Sequence, residues 1–177
     1  RAVRAGPAAW STLPLRLILV DKPSPEWADA WAEMNQAFGV VQLLHVGPAA
    51  WIAAVVRRRV GEHLLDEELL GRIAAYSGGL VSDALLLAHR VLRRAGGRRV
   101  MTDDLRGVLD QQAALLALGV GAEDRQRLEG IRGGGAGPAD AAPYLLRNLA
   151  IQVGAAPLRY VVHPLVERAL GWGDHAV

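Results

Sequence analysis

Between residues 48 and 118 the apolar positions recur at helical spacing, and on either side the apolar runs are shorter and broken by proline and glycine. In "AAWIAAVVRRRV" the pattern puts Trp51, Ile52, Val55 and Val56 on one face, and Arg57, Arg58 and Arg59 crowd the end where positive charge suits a helix dipole. The next helix is expected to start at Asp66 as N-cap, with Leu65 and Leu70 stapled across it and Leu69, Leu70, Ile73 and Ala74 as its buried stripe. Gly78 and Gly79 stop it, because glycine enters the left-handed conformation cheaply. A new helix follows at once, burying Leu80, Ala84, Leu87, Ala88, Val91 and Leu92, with Ser82 and Asp83 in its first turn. "VMTDDLRGVLDQQAALLAL" restarts again, with Thr102 as the expected N-cap and Asp103 and Asp104 in the turn that favours anions.

The flanks read differently. "LRLILVD" is a continuous apolar run closed by Asp21 and a proline-rich turn, which predicts a strand buried on both faces. "PEWADAWAEMNQAF" has helical spacing and "VVQLLHVG" is a second strand candidate, so residues 1–47 read as a βαβ unit with parallel strands. Beyond 118, "AEDRQRLEGIRGGGAGPADAAP" reads as a flexible connection or long turn. "APYLLRNLAI" reads as a helix with Pro143 near its first turn. "IQVGAAPLRYVV" gives two short strands around a Gly-Ala-Ala-Pro turn, and "HPLVERALG" a last helix with Pro164 at its first position and Gly171 at its end. Helices, a two-stranded wing and a closing helix are the order of a winged-helix unit. The expected fold is therefore mainly α with minor β, in three parts: 1–47, 48–118 and 119–177.

Composition narrows the chemistry. The 177 residues are 51% apolar, enough for a core, with a formal charge of only +2. Lys22 is the sole lysine, so the basic residues are almost all arginine, a bias that fits GC-rich coding. Cysteine is absent, which excludes disulfides, thiolate catalysis and cysteine-based zinc sites. No apolar run reaches the roughly 18 to 20 residues of a membrane span, so a cytoplasmic protein with no membrane partner is expected. The chain opens on Arg1, not methionine, which fits a fragment or processed product. His45, His63, His89, His163 and His175 are scattered, with no metal-ligand spacing; His163 before Pro164 is expected to cap the last helix or pack at the wing base.

The quoted motifs also carry a resemblance. "LLDEELLGRIAAYSGGLVSDALLLAHRVLRRAGGRRVMTDDLRGVLDQ" resembles the helical lid of bacterial AAA+ and STAND-type P-loop ATPases, and "YLLRNLAIQVGAAPLRYVVHPLVERAL" resembles the winged helix that follows it. "LRLILVD" resembles a Walker B strand, which would make 1–47 a remnant of the nucleotide-binding core and 48–118 a lid. By that resemblance Asp21, Ser77, Gly78, Gly79 and Ser82 stand where such proteins meet nucleotide. Ser82, however, occupies the place of the sensor arginine, and a serine brings no cation to a triphosphate. No Gly-x-x-x-x-Gly-Lys-Ser/Thr phosphate loop occurs, and Lys22 follows Asp21 where an acid is usual. Asp21 could hold magnesium beside a loop from elsewhere, or simply cap the strand's end.

The implied function is a non-catalytic regulatory or partner-docking portion of a degenerate ATPase, with ATP and magnesium only if a phosphate loop is supplied elsewhere. Its partner would be another protein or the rest of the ATPase. Ser77 in Ala-Tyr-Ser-Gly-Gly is a near miss to a nucleophile elbow, but a helix precedes it where that motif needs a strand. The competing class is a winged-helix DNA-binding protein, whose helix at 143–150 would enter a groove while Arg90, Arg93, Arg94, Arg98 and Arg99 held the backbone. Asp103 and Asp104 lie near enough in sequence to neutralise part of that patch. The five tryptophans are expected mostly on core-facing positions.

Overall fold

A computed structural model describes residues 47–61, 63–153 and 159–173. The βαβ unit expected over 1–47, with Asp21 and Lys22, lies outside the described residues except for Gly47, as does the turn expected at 154–157. The described chain is mainly helical, with seven helices and one two-stranded antiparallel hairpin. In order these are α1 (Ala49–Arg57), α2 (Glu67–Tyr76), α3 (Val81–Ala95), α4 (Thr102–Leu116), α5 (Ala122–Arg132), α6 (Pro138–Leu146), β1 (Ala150–Val153), β2 (Arg159–Val162) and α7 (Pro164–Leu170).

Two hydrophobic clusters organise them. The first gathers the stripes of α1 to α4, including Ile52, Val56, Leu70, Ile73, Leu87 and Leu105, and takes Leu165 from α7. Its helices follow the periodicity closely: Asp66 caps α2 by accepting from the Leu69 amide at 2.9 Å, and Leu65 and Leu70 are both buried behind it. Trp51 departs from expectation. It is 52% exposed, because α1 turns Ile52, Ala53 and Val56 inward and leaves the indole over Gly47 at the surface. Thr102 is not the N-cap of α4 either. Met101 takes that position, and the Asp104 carboxylate accepts from the Met101 amide at 2.9 Å.

The second cluster joins Leu128 and Ile131 of α5, Ala141 and Tyr144 of α6, the hairpin residues Ala150, Tyr160 and Val162, and Val166 of α7. The segment read as a loose connection is thus a helix over its first half. Leu128 and Ile131 bury one side of α5, the Asp124 carboxylate accepts from the Gly121 amide at 3.2 Å, and the glycine run starts only at 133. Farther on, α6 begins at Pro138 and holds Pro143 in its interior instead of its first turn.

That helix also ends sooner than its sequence suggests. Asn148 adopts a left-handed φ of 57°, the Asn148 amide donates to Leu145 O at 3.1 Å, and the Leu149 amide donates to Tyr144 O at 2.8 Å. This pair of bonds is a Schellman stop with asparagine in the place glycine usually takes. Ala150 and Ile151, read as the helix end, therefore belong to β1 and pair with Val162 and Val161. Among the described residues no helix is long and apolar enough to cross a membrane.

Candidate functional site

The joint between α2 and α3 is built from Ser77, Gly78 and Gly79. Ser77 is fully buried, its hydroxyl donating to Ala74 O at 2.7 Å and accepting from the Gly79 amide at 3.3 Å. Those bonds close the last turn of α2, so the hydroxyl is occupied by the backbone of its own helix. Gly78 and Gly79 both have positive φ, 61° and 81°. The Gly79 carbonyl accepts from the Gly47 amide at 3.0 Å, which ties the start of α1 to the joint. A side chain at Gly78 would have no room: its Cβ would overlap Ile151 Cδ1 of β1 and come within 3.2 Å of Pro164 Cδ of α7. The joint is thus the floor on which the hairpin and the last helix sit.

Ser82 lies just beyond, exposed on the first turn of α3, and its hydroxyl donates to Asp83 Oδ1 at 3.1 Å. Asp83 turns its other oxygen to His163, whose Nε2 is 3.1 Å away. His163 is 0% exposed, and its Nδ1 accepts from the Leu165 amide at 3.2 Å, capping α7 as the sequence led us to expect. Since Nδ1 accepts, the ring hydrogen is on Nε2 and points at the Asp83 carboxylate. This link spans 80 residues of chain. Nothing in the spacing of either residue announces it.

A second polar clamp holds the far end of the same helix. Arg168 on α7 donates through Nε and Nη2 to Asp110 Oδ1 at 2.9 and 2.7 Å, and through Nη1 to the Tyr76 hydroxyl at 3.1 Å. Its guanidinium carbon also lies 5.6 Å from the Tyr76 ring centre. Asp83 at His163, and Tyr76 and Asp110 at Arg168, are therefore the polar links that hold α7 to α2–α4.

The arginine patch divides in two. Arg98 grips Asp104 with both nitrogens, at 2.7 and 2.8 Å, Arg94 stands 4.0 Å from the same carboxylate, and Arg99 reaches Asp66 at 3.4 Å. The Arg98 fork, followed by the Met101 amide, holds the Asp104 carboxyl below its ordinary pKa despite its burial. Asp103, expected to share this neutralising role, pairs with Arg106 instead. Arg90 and Arg93 make no ion pair among the described residues. They line an open groove of about 580 Å³ between α3 and α4, with Leu86, His89 and Arg94 on one wall and Val108 and Gln111 on the other.

Among the described residues no three His, Asp or Glu side chains gather to hold a metal. At the joint, the first turn of α3 presents a hydroxyl and a carboxylate, Ser82 and Asp83, and both are engaged in the hydrogen bonds that lead to His163. No protein-family model matches the chain, and no curated protein or solved structure matches it.

Proposed function

We propose that this chain is a non-catalytic regulatory or partner-docking portion of a degenerate P-loop ATPase of the AAA+/STAND kind, in which α1–α4 correspond to the lid and α5–α7 with the hairpin to the winged helix. The observation that carries the reading is the Asp83–His163 hydrogen bond at 3.1 Å. It uses the first turn of α3, the turn that offers a cation to nucleotide in the proteins this chain resembles, to fasten the last helix. A turn committed in that way serves as a structural clasp. Any ATP and magnesium chemistry would need a phosphate loop from another segment or subunit. Isothermal calorimetry of this chain with MgATP is expected to give no heat of binding. Tight binding would overturn the reading.

The second reading, a winged-helix DNA-binding protein, draws support from Arg90 and Arg93, which line the groove and make no ion pair among the described residues. Against it, α6, the helix before the hairpin, has no arginine or lysine in its nine residues, and Arg147 just after it is held 3.2 Å from Asp124. A helix without cations is poorly equipped to enter a groove lined by phosphates. A gel-shift titration against duplex DNA at two salt concentrations discriminates: no shift at low salt removes this reading.

A further inference from the structure

We propose that the groove between α3 and α4 receives an acidic amphipathic helix of a partner protein. This rests on the docking reading and adds the partner's chemistry. The wall on α3 is one helical stripe, Leu86, His89 and Arg90, Arg93 and Arg94, spaced i, i+3/i+4 and i+7/i+8. At one end Leu86 is 43% exposed, so the stripe offers an apolar anchor followed by two guanidinium groups that make no ion pair among the described residues. Val108 and Gln111 of α4 form the opposite wall, one apolar and one able both to donate and to accept.

Gly107 shapes the groove's far end. A Cβ there would come within 2.8 Å of Arg94 Cζ, so the bare backbone lets the guanidinium lie down on α4. Glycine inside a helix is less favourable than alanine, and here it makes the room in which Arg94 lies. Arg98 meanwhile takes both oxygens of Asp104, the acid nearest to Arg94. Among the described residues Asp104 thereby neutralises one end of the stripe, and Arg90 and Arg93 form no ion pair, which suits them to an external acid.

The dimensions favour a helix over a nucleic acid. Eight residues separate Leu86 from Arg94, about 12 Å along the axis, or roughly two turns. That length matches a partner helix presenting carboxylates at i and i+3 or i+4, with a leucine set against Leu86 and Val108. A duplex backbone needs a longer row of cations for useful affinity, and it has no use for an exposed leucine. Charge complementarity would set the rate and salt dependence, and the leucine contact would add affinity.

The test uses the whole chain and a fluorescein-labelled synthetic peptide of about four helical turns, glutamate on one face and leucine on the other. Fluorescence anisotropy should show reversible binding that weakens with salt. A double charge reversal, Arg90→Glu with Arg93→Glu, should weaken it at least about tenfold while leaving the circular dichroism and melting temperature unchanged. Leu86→Ala should weaken it without altering the salt slope. In the wild-type protein, amide shift changes on titration should fall on residues 86–94 and 108–111, which tests the site even if a variant folds poorly. No peptide binding, equal binding by the charge-reversed protein, or shifts elsewhere would overturn the proposal. So would duplex DNA that binds more tightly than the peptide at the same salt and is lost in the same variant, since the groove would then belong to nucleic acid. Heat on adding MgATP to the same sample would sink the ATPase-remnant reading and leave the groove result standing.

Discussion

The two hydrophobic clusters reach the same end by different means. Around the first, helices of 9, 10, 15 and 15 residues bury regular stripes against one another, and most of the stabilising contacts come from runs of aliphatic side chains. Around the second, helices of 11, 9 and 7 residues and two four-residue strands depend on single residues at their ends: Asp124, Asn148, His163 and Gly171. Long stripes tolerate local imperfection because many residues share the burial. Short elements have no such reserve, so each terminus must be stopped or capped by a specific group. The two regions are coupled at α7, where Leu165 packs into the first cluster and its neighbour Val166 into the second.

Coupling through α7 predicts one cooperative unfolding transition for both regions. Leu105→Ala in the first and Leu128→Ala in the second, each emptying a fully buried site, are expected to cost about 2–5 kcal/mol. Denaturant melts followed by near- and far-ultraviolet circular dichroism check this. If Leu128→Ala melted α5–α7 separately and left α1–α4 intact, the clusters would be independent.

Glycine replacements sharpen the same comparison. Gly78→Ala and Gly96→Ala ask alanine to adopt nearly the same φ, 61° and 62°, which alone costs about 1–2 kcal/mol. Only Gly78 faces a crowded site, against buried Ile151, whereas Gly96 has open space around it. Gly78→Ala should therefore cost an additional 1–3 kcal/mol or so from overpacking. Equal losses in thermal melts would mean that the joint does not carry the hairpin.

Asp83→Ala removes the partner of a buried imidazole N–H. The expected loss is about 1–3 kcal/mol, with amide hydrogen exchange rising first in α7. Unchanged protection there would show that the clasp is incidental. The smallest effect is in acid. The Asp104 carboxyl is held below its ordinary pKa by Arg98 and then by the Met101 amide, so its contribution is present above the unfolded value of about 3.9 and is lost as pH falls through the folded one. The stability gap between wild type and Asp104→Asn should accordingly narrow as pH drops below about 4. A constant gap in denaturant titrations between pH 6 and 2 would contradict that assignment.

Legibility followed the same division. The stripes of α2 and α3, the Asp66 cap, the double-glycine stop and the His163 cap were all legible from the sequence, because each is set by residues within a turn or two of one another. What misled was equally local. Pro143 suggested a helix start but lies inside α6, and Thr102 suggested a cap that Asp104 supplies from the third helical position. The same aspartate device recurs at Asp124 and Asp140, which accept from the Gly121 and Gly137 amides at 3.2 and 3.1 Å. An aspartate three residues after the N-cap was the available signal. Trp51 was misplaced because helical spacing leaves the exact facing of a stripe open by about one residue.

In the candidate site, the stop at Ser77, Gly78 and Gly79 could be read in advance, but what Ser82 and Asp83 engage could not. That Ser82 and Asp83 serve His163 depends on a contact between residues 80 apart, and no periodicity encodes such a pairing. The sorting of five arginines into Arg94, Arg98 and Arg99 facing acids and Arg90 and Arg93 lining a groove likewise depends on how α3 lies on α4.

By itself the sequence determined where the helices of the first cluster form and most of the stripes they bury, since propensity, capping and spacing act over a few residues. Only the tertiary structure decided which polar groups meet, because a hydrogen bond or ion pair between distant residues exists only once packing has set the helices against each other. Backbone stops and apolar faces are local choices. The clasp at His163 and the open groove at Arg90 are products of assembly.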